Sequence, residues 1–197
     1  MLLLRHLFGF GRRAEQPEAL YAAVAAQARQ PIFYTAYGVP DTLDGRFDLL
    51  VLHAALLLRR LNSRPREAQR DAASVGATAD DEPMRMLAQE VFDVFFREMD
   101  RALREMGVGD LSVPRRVKTM AEVFYGRAMA YDAALAADDP KALDDALARN
   151  LFPDQEAPAS VSRLARYVRA AADSLELQPR HDLLAGRLRF PDPSSIP

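Results

Sequence analysis

Apolar residues recur at helical spacing along most of this chain. Leu43, Phe47, Leu50, Val51, Ala54, Leu57, Leu58 and Leu61 return at intervals of three and four, which draws one buried stripe down a helix. Asp41 and Thr42, capping types, stand directly ahead of it. Phe92, Phe95, Phe96, Met99, Leu103 and Met106 repeat the pattern, and Gly107 is placed to close that helix. Ser112 and Pro114 open the next, with Val117, Met120, Ala121, Phe124, Ala128, Tyr131 and Leu135 on one face. Since only a short turn separates these last two runs, they are expected to pack antiparallel as the centre of the core.

Weaker signals complete the outline. A first helix is expected over about Ala14 to Ala28, closed before Gln30-Pro31 because a residue preceding proline avoids the helical region. Ile32 to Pro40 reads as a connection. Asp139 and Pro140 begin a shorter helix to about Asn150, and Ser160 caps another that carries Leu164, Tyr167, Val168, Ala171 and Leu175. Between them no stretch sustains two-residue alternation. The expectation is an all-α fold, a single helical domain of about six to seven helices with two long antiparallel core helices. Residues 1–30 form an N-terminal apolar segment and first helix, 31–152 a helical core, 153–190 C-terminal helices and 191–197 a disordered tail. Within the core, 62–82 loses all periodicity around Pro65 and Gly76 and is expected to be a mobile loop.

Composition removes several function classes. The 197 residues carry 26 basic and 28 acidic side chains, a net charge of −2 that gives no general attraction to nucleic acid. Without cysteine there are no disulfides, thiolate nucleophiles or Cys-containing metal sites. His6, His53 and His181 are far apart and lack the pair spacing of a helical metal site, so no metal or cofactor is expected. Phosphate-loop and nucleophile-elbow motifs are absent, and no strand precedes Gly9-Phe10-Gly11. No catalytic residue is therefore assigned.

The apolar N-terminus is too short and interrupted to span a bilayer, and its charges follow the apolar run rather than precede it, unlike a signal peptide. It reads either as a shallow membrane anchor, with Leu2, Leu3, Leu7, Phe8 and Phe10 in the interface and Arg5, Arg12 and Arg13 on head groups, or as a terminus that frays or docks on the domain. The expected location is the cytoplasm, or the inner face of the cytoplasmic membrane.

Polar residues inside well-patterned segments draw attention to three places. Tyr37 to Asp48 carries two glycines and three carboxylates around a helix start, read either as close packing at Gly45 with dipole-complementing acids or as a recognition surface. Asp100, Arg101, Arg104 and Glu105 have the spacing of two ion pairs, and Arg115, Arg116 and Lys118 form a basic knot beside Asp110, suited to that aspartate or to an acidic partner. Gly126 interrupts a helix, as a glycine does where another backbone packs closely. His53 reads as a hydrogen-bonded structural histidine, and Arg163, Arg166 and Arg169 as a solvated basic stripe.

Together these segments resemble the ubiquinol–cytochrome c chaperone family. The resemblance rests on Tyr37-Gly38-Val39-Pro40-Asp41-Thr42 with Asp44-Gly45-Arg46-Phe47-Asp48, on His53, on Met99-Asp100-Arg101 with Leu103-Arg104-Glu105-Met106-Gly107-Val108-Gly109-Asp110, and on Phe124-Tyr125-Gly126-Arg127 with Ala130-Tyr131-Asp132. It spans about Gln30 to Phe152. Two departures are a longer connection from Asn62 to Glu82 and Ala102 where the family pattern suggests a polar residue. No mitochondrial-type transit peptide is visible, and the Ala- and Arg-heavy composition points to a bacterial member.

The resemblance implies a helical, non-enzymatic assembly chaperone. Its client would be a hydrophobic respiratory membrane protein, cytochrome b or another bc1 subunit, received together with a partner assembly factor near the membrane. Such work needs exposed apolar surface with a polar rim. The expected binding residues are Tyr37, Asp41, Arg46, Asp48, Arg104, Asp110, Arg115 and Arg127, with Leu3, Leu7, Phe8 and Phe10 on the membrane. A helical carrier of a quinone or lipid is the alternative. An enzyme using Asp48, His53 and Tyr125 would require those side chains to converge.

Overall fold

The computed structural model describes residues 4–63, 81–153 and 156–197, with side chains from residue 15 onward. The loop expected over 62–82 and the position of Leu3 thus lie largely or wholly outside the described residues, as do the side chains of Leu7, Phe8 and Phe10. Among the described residues the regular structure is helical: α1 (Leu4–Ala28), α2 (Ile32–Thr35), α3 (Leu43–Asn62), α4 (Glu82–Glu105), α5 (Val113–Ala136), α6 (Ala142–Leu151), α7 (Val161–Leu177), α8 (Arg180–Leu184) and a 3₁₀ turn at Pro193–Ser195.

Local chemistry explains some boundaries, although Ser160, expected as a cap, makes no capping bond and donates its hydroxyl to the Tyr37 carbonyl at 2.7 Å. The Thr42 hydroxyl accepts the Gly45 amide and caps α3. At the end of α4, Gly107 takes a φ of +81°, and its amide bonds Arg104 while the Val108 amide bonds Leu103. That is a Schellman closure, which a side chain at Gly107 would strain. The short helix after Asp139 starts two residues later than the proline suggested, because Asp139 accepts the Lys141 amide in a turn of its own.

Long α4 and α5 do pack on each other, with Phe95 and Phe124 rings 5.1 Å apart, but the centre of the core is α3. Every residue from Asp48 to Leu57 is buried, and α3 meets α1, α4, α5, α6 and α7. An amphipathic stripe underestimates such a helix, since Leu49, Leu52 and Leu56 lie outside it and are equally buried. Conversely, α5 is largely uncovered: Phe124, Tyr131 and Ala134 are buried, whereas Val117, Met120 and Ala121 are only partly so. Leu43, the first position of the α3 stripe, is 63% exposed.

The tail expected to be disordered is instead packed. Pro193 is buried, its carbonyl accepts the Tyr37 hydroxyl at 2.7 Å, and the Pro191 carbonyl accepts the Gln27 amide at 3.2 Å. Arg163 and Arg166 donate to the carbonyls of Ile196 and Pro197. Proline bars an α-helix here, yet a short 3₁₀ turn capped by Asp192 forms, and side chains of neighbouring helices satisfy the remaining carbonyls. The Arg stripe is a partly solvated face whose members also anchor backbone carbonyls, Arg169 donating to Pro140.

Candidate functional site

Two polar arrangements and one groove emerge from this packing. The first is buried. The Leu49 carbonyl can only accept, so the His53 Nδ1–H donates to it at 2.8 Å, leaving Nε2 to accept the Tyr167 hydroxyl at 2.9 Å. The Gln27 amide in turn donates to the Tyr167 oxygen at 2.8 Å. Burial pushes the His53 imidazole down to about 4, so it is neutral at physiological pH. Both ring nitrogens are occupied, as a structural histidine requires. The sequence places Tyr167 only on the apolar face of its helix and does not single out Gln27, although Gln27 is a lone polar residue at helical spacing from Leu20 and Val24.

The second arrangement joins α3 to α5 through an ion pair between Asp48 and Arg127. Asp48 is buried, and burial pushes its carboxyl up to about 6 even though the Arg127 guanidinium pulls the other way. The Tyr131 hydroxyl, buried on the same helix, has no hydrogen-bond partner among the described residues, and its pKa is raised by burial. Asp48, His53 and Tyr125 do not share a network: Asp48 serves Arg127, His53 serves Leu49 and Tyr167, and Tyr125 is 55% exposed against Phe92.

The groove, of about 530 Å³, lies open between α3, α4 and α5. Ala55, Ala88 and Phe124 form its buried side, while Tyr125 and Met129, 55% and 72% exposed, stand at its outer edge. Polar side chains ring it. Arg59 reaches Asp132 at 2.8 Å and Glu176 at 3.4 Å, tying α3 to α5 and α7, and Arg85 pairs with Glu82. Next to Tyr125, Gly126 has nothing within 4 Å of where a Cβ would sit, so no backbone among the described residues explains it. The expected close approach occurs instead at Gly45, whose Cβ would fall 2.1 Å from the Pro40 carbonyl oxygen.

None of the eight residues expected to bind a client lines this groove. Tyr37 is fully buried under the tail and presents no binding surface. Asp41 and Arg46 form an exposed pair at 2.6 Å, and Arg104 pairs with Asp100 at 2.7 Å and with Asp110. Asp110 is thereby engaged away from the basic knot, and among the described residues Arg115 and Arg116 have no ion-pair partner. Met129 was missed. Its signal is an apolar stripe on α5 that is too wide for one face, Phe124-Tyr125 being followed one turn later by Ala128-Met129.

Comparison with known proteins places these features in a lineage. The family model described as ubiquinol-cytochrome C chaperone matches residues 35–190. The chain belongs to this family. Among relatives, it is 26% identical over 167 residues to the ubiquinol-cytochrome c reductase complex assembly factor 1 of Drosophila melanogaster, covering 84% of this chain and 60% of that protein. It is 24% identical over 153 residues to the Xenopus laevis counterpart, covering 77% and 68%. The chain thus spans less than two thirds of the Drosophila protein. A crystal structure of the Cbp3 homolog from Brucella abortus is 36% identical, covers 100% of both chains and superposes with a TM-score of 0.83. That likeness agrees with a bacterial member of the chaperone family. The family match also runs beyond Phe152, where the motif resemblance ended, because α7 supplies Tyr167 to the His53 network and cannot be separated from the core.

Proposed function

We propose that this family member is a non-enzymatic chaperone that holds an apolar segment of a bc1-complex subunit, cytochrome b foremost, in the α3–α4–α5 groove during assembly. The observation that carries the proposal is the exposed Tyr125–Met129 edge beside the uncovered Gly126. A helix that leaves large apolar side chains and bare backbone in water gains from a partner that covers both. The polar ring of Arg59, Arg85 and Asp132 provides the rim expected of a protein interface. Relatives named as reductase-complex assembly factors support the client class. An open groove suits a protein segment better than a fully enclosed quinone or lipid.

In this reading the N-terminal apolar segment keeps the protein near the inner face of the membrane, and the Asp41–Arg46 and Arg104–Asp110 surfaces are free for a partner assembly factor. No helix among the described residues is long and apolar enough to cross a membrane. The test is crosslinked capture from native membranes with wild type, a Tyr125→Gln/Met129→Gln double variant and Arg104→Ala. Cytochrome b recovered by wild type and Arg104→Ala, and reduced about tenfold by the double variant, a loss near 1.4 kcal/mol, supports the groove. Capture that depends on Arg104 and not on Tyr125 and Met129 moves the client to the polar surface.

A further inference from the structure

The turn between α4 and α5 carries a combination that neither the core nor the groove uses. Leu111 is 99% exposed and Met106 51% exposed, although Met106 continues the apolar stripe of α4. These side chains are not on a loose loop. The Schellman closure at Gly107, the Arg104 pairs with Asp100 and Asp110, and the Ser112 amide donating to the Gly109 carbonyl at 2.8 Å hold the turn in shape. Among the described residues Gly107 and Gly109 have nothing within 4 Å of a Cβ position, and residues 109–112 are exposed, so this turn is open to solvent. One turn into α5, Arg115 and Arg116 lie exposed without ion-pair partners among the described residues, at a helix start where positive charge is unfavourable.

We propose that this turn is a lipid-contact tip, with Leu111 and Met106 entering the interface of an anionic membrane and Arg115 and Arg116 bound to its phosphate head groups. Charge selects the occupant. Arg104 pairs with both Asp100 and Asp110 and Arg101 with Glu105, which leaves one acid in excess, and the unpaired Arg115 and Arg116 bring residues 100–116 to a net charge of +1 beside the exposed Met106 and Leu111. An exposed apolar and basic turn fits a deformable lipid surface, where amphipathic elements sit at the head-group and acyl boundary. A nucleic-acid backbone would use the arginines but gives no role to a fully exposed leucine. From Phe92 at the groove to Met106 is 14 residues of helix, about 20 Å at the usual rise, so lipid contact and client binding are separable.

Flotation of the full chain with phosphatidylcholine vesicles, with and without phosphatidylglycerol, tests the proposal. Wild type is expected to float only with the anionic vesicles and to lose binding as salt rises. Arg115→Gln/Arg116→Gln should weaken binding about thirtyfold, at about 1 kcal/mol per arginine, and Leu111→Ser should weaken it with an unchanged melting temperature. Because the chain has no cysteine, Leu111→Cys labelled with an environment-sensitive dye reads insertion directly. A blue shift on anionic vesicles is the expected result. No shift, or flotation that survives these variants and disappears with Leu7→Ser/Phe8→Ser, overturns the proposal, as does capture of RNA in place of vesicles.

Discussion

Gly45 and Gly126 both interrupt helices, and the space around them gives them opposite meanings. At Gly45 an added Cβ would collide with the Pro40 carbonyl oxygen, so Gly45→Ala is expected to lower stability by roughly 1–3 kcal/mol. At Gly126 the space is open, and alanine should raise stability by about 1 kcal/mol through helix propensity while weakening client capture. Thermal unfolding of the two variants reads both signs. The buried titratable groups give a second residue-scale prediction. His53 has its pKa depressed to about 4, so its stabilising contribution is complete above the ordinary histidine value near 6.5 and is lost as pH falls through 4. Asp48 has its pKa raised to about 6, so its contribution is complete below the ordinary carboxylate value and is lost as pH rises through 6. The two oppose each other across the same interval. Asp48→Asn should therefore make stability fall more steeply on acidification from pH 6.5 to 4, measured by denaturant midpoints, and His53→Asn should flatten or reverse the slope.

At the scale of elements, the tail and α7 act together. The segment from Pro191 to Pro197, with its 3₁₀ turn, closes over Gln27 and Tyr37, and the Phe190 ring ahead of it meets His53 edge-on at 5.3 Å between centroids. Deleting 191–197 removes the acceptors of the Gln27 and Tyr37 donors, and each buried group left unpaired costs roughly 1–3 kcal/mol. A clear drop in melting temperature is expected, with faster hydrogen exchange at α2 and the start of α7. An unchanged melting temperature would show that the tail contributes nothing to the fold. Arg60, buried on α3, binds the same region from the other side, donating to the carbonyls of Leu175 and Gln178 and closing the C-terminal end of α7.

At the scale of the whole molecule, helix α3 is enclosed by five others while α5 is left half bare, and the groove is the consequence. Tyr125→Gln/Met129→Gln should leave stability within about 0.5 kcal/mol, since both side chains already face water. The same double variant should bind less of an apolar fluorescent dye than wild type. A large loss of stability would instead assign Tyr125 and Met129 to the core.

Helix positions, the Thr42 cap, the Gly107 stop and the paired spacing of Asp100 with Arg104 were legible in the sequence, because each depends on contacts within one or two helical turns. Family membership was legible for the same reason, through long local motifs. Which helix lies at the centre was not, since a helix buried on all sides and one buried on a single face both show an apolar stripe. Nor did composition reveal the ordered tail, whose proline-rich carbonyls find their donors on Gln27, Tyr37, Arg163 and Arg166, more than 25 residues away along the chain. The groove belongs wholly to the tertiary structure: periodicity shows which residues are apolar, and only the packing of α3, α4 and α5 decides that Tyr125 and Met129 remain uncovered.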